Sequence, residues 1–169
     1  MEITLIKRLV ADPNGESTDA LFENSTEVFW VDWREEDSNI IDYCESILKT
    51  NMLSSQFEGE KLFIKFGAQT KEVPLTMSGA DRHITLLALN EILNPHYEIR
   101  MAWASDGGDT LAFAPLSYEE WGALELEFGV PSVSKAFLKL SPYPNVFTDP
   151  LTKISVKKTN GKKWWEFWK

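Results

Sequence analysis

The chain has 169 residues, 43% of them hydrophobic, enough for one domain that buries roughly 70% of the surface of its unfolded form without metal or disulfide support. A single cysteine, Cys44, excludes an internal disulfide, no run approaches the ~20 apolar residues of a membrane span, and MEITLIKRLV is too short and too charged for a signal peptide, so the expectation is a soluble, cytoplasmic protein. The net charge of -9 is uneven: residues 153–169 carry +5 from six lysines and Glu166, leaving 11 basic against 25 acidic residues before them, a body of -14 that repels nucleic acid and favours a basic partner.

Glu2 to Val10 sets Ile3, Leu5 and Lys7 against Thr4, Ile6 and Arg8 and predicts a strand, with a turn at Asp12-Pro13-Asn14-Gly15. Ser17 to Asn24 predicts a short helix. Glu27 to Trp33, with Val28, Trp30 and Asp32 on one side and Phe29, Val31 and Trp33 on the other, predicts a strand covered on both faces, a candidate for the centre of a sheet. Glu35, Glu36 and Asp37 stand where the next helix begins. Ile40, Ile41, Cys44, Ile47 and Leu48 then follow at i, i+1, i+4, i+7 and i+8, an amphipathic stripe that makes Cys44 a buried thiol rather than a nucleophile. Lys61 to Gly67 and Thr70 to Leu75 predict two strands joined by a short turn.

Residues 78–129 predict a helix, a β-hairpin and a second helix around which the domain is organised. Ser78 and Asp81 read as a capping pair ahead of the apolar run Ile84 to Leu93, which Asn94-Pro95 ends. Tyr97, Ile99, Met101 and Trp103 alternate with Glu98, Arg100, Ala102 and Ala104. Ser105 to Asp109 supplies turn residues, and Thr110 to Leu116 returns. Ser117 with Glu120 is a second capping box, Trp121, Leu124 and Phe128 share a helical face, and Gly129 with Pro131 supplies the stop. Val133 to Leu140 fits helix or strand equally, and Leu151 to Val156 reads as a last strand. The expected fold is one α+β domain over 1–156, a mostly antiparallel sheet with about three helices packed on one face, followed by a basic aromatic tail at 157–169.

The sequence carries no nucleotide-loop, nucleophile-elbow, zincin or paired-cysteine signature. His83 and His96 lie 13 residues apart at either end of one predicted helix, which suits surface or helix-end polar roles rather than a ligand pair, so no metal and no cofactor are expected. Gly107-Gly108-Asp109 resembles the start of the GGDEF signature of nucleotide cyclases, but Thr110 and Leu111 replace its acidic and aromatic positions, and Asp106 and Asp109 are assigned to the turn.

Two features point to binding. Asp32, Glu35, Glu36 and Asp37 form the densest acidic cluster. A helix dipole alone accounts for such charge at a helix start, and the same place presents it rigidly to a basic partner. Residues 161–169 hold three of the seven tryptophans, Trp164, Trp165 and Trp168, among lysines. Burying them and ordering their backbone have comparable and opposite free energies, which leaves docking on the domain, a protein partner, a homodimer mate and an anionic membrane surface all open.

The run YEIRMAWASDGGDTLAFAPLSYEEWGALELEFG resembles small bacterial proteins of the immunity type, which bind and neutralise a cognate toxin; the resemblance covers roughly residues 85–129. It implies a cytoplasmic bacterial protein without catalytic machinery and assigns no binding residue. Three readings follow: a non-enzymatic module that neutralises a basic toxin domain, a small enzyme with a carboxylate-lined cleft, and a membrane-surface or assembly adaptor acting through the Trp/Lys tail.

Overall fold

A computed structural model of the protein describes residues 2–23 and 26–151. The tail 157–169 with Trp164, Trp165 and Trp168, and all but Leu151 of the strand expected at 151–156, lie outside the described residues.

The first element departs from expectation. Thr4–Ala11 is a helix, α1, not a strand. Alternation and helical periodicity both fit residues 3–7, and Leu9 and Val10 decide between them. With Leu5 and Ile6 they make an i, i+1, i+4, i+5 face, all of it buried. The buried carboxylate of Glu27 then accepts the Leu5 and Ile6 amides at 3.0 and 2.9 Å, satisfying two N–H groups that a helix start leaves without partners. The expected turn leads to α2, Glu16–Phe22.

The larger sheet is built of β1 (Phe29–Asp32), β5 (Tyr97–Ala102), β6 (Thr110–Ser117) and β7 (Phe137–Lys139) in the order β1-β6-β5-β7, with every pair antiparallel. Its centre is the predicted hairpin of β5 and β6. β1 lies at the edge, not in the centre. It is apolar on both faces because both faces of the sheet are covered. Phe29, Val31, Ile99, Met101, Leu111 and Phe113 pack into one core. Val28, Ala102, Ala112, Ala114 and Leu116 pack into another. The alanines let helices approach closely on that second face, where α1, α2, α5 (Tyr118–Phe128) and α6 (Val130–Ala136) lie.

On the first face sit α3, Asp37–Leu48, and α4, Asp81–Leu93. They contact both the larger sheet and a three-stranded one, ordered β2-β3-β4 from Leu53–Glu58, Lys61–Phe66 and Gln69–Val73. β2 had no counterpart in the sequence reading, because LSSQFE is an edge strand that buries only Leu53. Six α-helices and seven antiparallel strands among the described residues therefore make a single α+β domain, with helices on both faces of the larger sheet rather than about three on one.

The Ser117–Glu120 capping box forms as expected. Ser78 does not cap α4; its N-cap is Ala80, and the Asp81 carboxylate reaches back into the preceding loop instead. Trp103 has left the strand for a 3-10 turn, Trp103–Ser105, and its indole N–H donates to the Ser134 carbonyl at 3.2 Å. The ambiguous 133–140 stretch is helix up to Ala136 and strand from Phe137. His83 is not a surface group: it is buried, with Nε2 2.9 Å from the Ser141 carbonyl oxygen. No helix among the described residues is long and apolar enough to cross a membrane.

Candidate functional site

Where β1 gives way to α3, three segments meet around a groove of about 720 Å³: the 33–37 junction, the β2–β3 turn at Gly59 and Glu60, and the 75–82 loop ahead of α4. The floor is a closed ion pair. The Arg82 guanidinium forks onto Asp37 with Nε–Oδ1 3.0 and Nη2–Oδ2 2.6 Å, its Nη1 donates to the Glu35 carbonyl, and the Thr85 hydroxyl donates to Asp37 at 2.6 Å. This cluster ties the first turns of α3 and α4 together.

The walls are largely apolar, and the exposed Arg34 guanidinium lies over one of them, 5.2 Å from the Trp33 ring centroid. Trp33, Phe57 and Met77 line the groove at 46, 48 and 76% exposure, with Leu75 half-buried beside them. Met77 stands there because its backbone is left-handed, φ 59°, a conformation uncommon for any residue but glycine. Asp81 holds it, accepting from the Thr76 amide at 2.8 Å, the Thr76 hydroxyl at 2.6 Å and the Ser78 amide at 3.2 Å. Burial raises the Asp81 pKa, but these hydrogen bonds outweigh it and hold the carboxyl below its ordinary value. Three hydrogen bonds to one carboxylate thus tie this loop to the start of α4.

The expected acidic cluster divides. Asp37 is buried in the floor. Asp32 is engaged by its neighbour Arg34, whose side chain and amide hold its pKa down. Glu35 accepts from the Asn39 side chain at 2.8 Å and the Tyr43 hydroxyl at 3.2 Å, and its pKa is lowered by the Asn39 bond first. Glu36 is exposed at the rim, and across the groove Glu60, also exposed, adds a carboxylate that sequence reasoning missed. Phe57 and Met77 were missed as well. Phe57 lies in a polar stretch, and the exposure of Met77 follows from a backbone angle.

Among the described residues no group of three or more His, Cys, Asp or Glu side chains could hold a metal ion. No protein-family model, no curated protein and no solved structure matches the chain.

Proposed function

We propose that the chain is a non-enzymatic protein-binding module whose groove seats a basic segment carrying an apolar anchor, used as an immunity-type protein uses such a surface, to neutralise a basic toxin domain. The observation that carries this reading is the convergence of exposed Trp33, Phe57 and Met77 on a groove rimmed by Glu36 and Glu60, where the one exposed cation among the described residues, Arg34, is already paired with Asp32, on a body of charge -14. Large apolar side chains grouped at the surface within a polar rim have the anatomy of an interface. The hydrogen-bonded Met77 loop reduces the ordering cost of association. Long-range attraction from the acidic body raises the encounter rate, and the apolar walls limit dissociation. The function would be exercised in a bacterial cytoplasm, without a cofactor.

The alternative reading, a small enzyme with a carboxylate-lined cleft, needs a general acid whose pKa is raised toward the working pH, and hydrogen bonds push Asp32, Glu35 and Asp81 the other way, so none of these three supports that role.

A photo-crosslinking residue placed at Phe57 in the native cell, with a control at Leu126 on α5, which is 89% exposed, tests the site. A partner should be trapped from position 57 and not from 126. In surface plasmon resonance against that partner, E36K/E60K should slow association several-fold, and added salt should do the same to the unsubstituted protein. Trapping only from position 126, or binding indifferent to both salt and charge reversal, overturns the reading.

A further inference from the structure

Trp33 belongs to two concavities. Besides the groove it lines a neighbouring hollow of about 340 Å³ together with Asp106, Asp109, Asp149 and Leu151. Leu151, 3% exposed, is where the described chain stops, so residues 152–169 start beside the tryptophan that walls the groove. The nine residues 152–160 reach up to about 30 Å when extended, and the groove begins at the same Trp33 that walls the hollow. Lys153, Lys157 and Lys158 on that tether match the three aspartates of the hollow in charge, and Lys162, Lys163, Trp164, Trp165 and Trp168 beyond it have the basic and apolar chemistry proposed for the groove's ligand.

We propose that the chain's own segment 161–169 occupies the groove in cis, seated on Trp33, Phe57 and Met77 with its lysines toward Glu36 and Glu60, and that a partner must displace it. The inference rests on the reading of the groove as a seat for basic apolar segments. A linker of only nine residues gives the segment an effective concentration of about the mM range. A segment with only sub-millimolar intrinsic affinity is therefore seated most of the time, and a toxin domain with a larger interface still displaces it.

The test compares two full-length proteins labelled with nitrogen-15, the unsubstituted chain and W164S/W165S/W168S, with a synthetic peptide of residues 160–169 as probe. The amides of Gly59, Glu60, Ser78 and Gly79 should differ between the two proteins. The peptide should shift the same amides of the triple variant saturably, bind the unsubstituted chain at least tenfold more weakly because its groove is taken, and bind the triple variant more weakly once E36K/E60K is added. Groove amides identical in the two proteins overturn the proposal, as do differences that grow with protein concentration, which mean a second copy in trans. Tail-dependent binding to phosphatidylglycerol vesicles with unchanged groove amides also overturns it, in favour of a membrane. Equal peptide affinity for both proteins removes cis occupancy yet leaves the groove chemistry standing. A peptide that binds neither protein removes both.

Discussion

At His83 burial pushes the imidazole pKa below its ordinary value, against an opposing pull from the Ser141 carbonyl and the Asp149 charge. With Nε2 donating to Ser141, Nδ1 is left to accept the Val146 amide at 3.5 Å, so the neutral ring pins the 141–146 segment to α4. The unfolded chain takes up a proton near pH ~6.5 and the folded one only at lower pH. Stability is therefore unaffected above that value and declines as pH falls from about 6.5 through the lowered folded pKa. Urea midpoints at pH about 7.5 and about 5.5 should show the decline in the unsubstituted protein and a flatter response in H83Q; equal declines refute the assignment. Arg100 makes a second residue-scale case. It is 3% exposed, bonded to Glu98 at 2.6 Å and Glu125 at 2.8 Å, and its guanidinium lies 4.1 Å from the Trp121 ring centroid. Arg100→Ala takes the guanidinium from two partly buried carboxylates, leaving Glu98 only the Lys139 ammonium 4.0 Å away, and should cost about 3 kcal/mol or more in chemical denaturation. Arg100→Lys should recover little, because an ammonium cannot span both carboxylates and stack on the ring.

Two of the helices, α5 and α1, are capped in different ways, and substitution separates them. α5 is capped locally by Ser117 and Glu120, three residues apart, so Ser117→Ala should cost the ~0.5–2 kcal/mol of an ordinary N-cap. α1 is capped by Glu27, more than 20 residues further along the chain, through two buried charge-assisted bonds. Glu27→Gln keeps the shape and removes the charge, and should cost about 1.5–3 kcal/mol. Hydrogen exchange should then quicken over 4–11 in E27Q and over 118–128 in S117A. Exchange that quickens evenly across the chain in both variants would argue against local capping as the cause.

For the whole molecule, the decisive feature is that one core joins both sheets. Cys44 and Ile41 of α3, Leu86 and Leu89 of α4, Phe113 of the larger sheet and Ile64 of the smaller one belong to the same buried cluster. Neither sheet has a separate core on that face, so the described domain should unfold in one cooperative step. Cys44 reports on this directly, because it is fully buried and burial pushes its thiol pKa far up, which leaves it unreactive while the fold is closed. A thiol reagent in low urea should label it with an opening free energy equal to that of global unfolding, and Leu89→Ala should lower both together by about 2–5 kcal/mol. Labelling well below the global value would mean that α3 and the small sheet open on their own.

Most elements were legible in the sequence because their signals are local: the apolar stripe of α3, the strand–turn–strand of β5 and β6, the Ser117 box, and the buried thiol at Cys44. The α+β class followed from them. What the sequence could not settle depended on neighbours far along the chain. Residues 2–10, expected as a strand, carry the helical face Leu5, Ile6, Leu9 and Val10, but the Glu27 cap and the sheet face that make use of it lie elsewhere in the chain. Glu98 and Arg100 fell on the polar side of an alternating pattern, yet Arg100 is buried and Glu98 partly so because α5 covers that side with Trp121. The candidate site shows the same division. The acidic run at 32–37 was legible as charge, but only packing put Asp37 into the floor and left Glu36 at the rim. Phe57, Glu60 and Met77 entered the groove through a hairpin turn and a left-handed backbone, neither of which hydrophobic periodicity encodes. Periodicity records which face of an element is apolar; which elements meet, and hence where a groove lies, is decided by the packing of the whole chain.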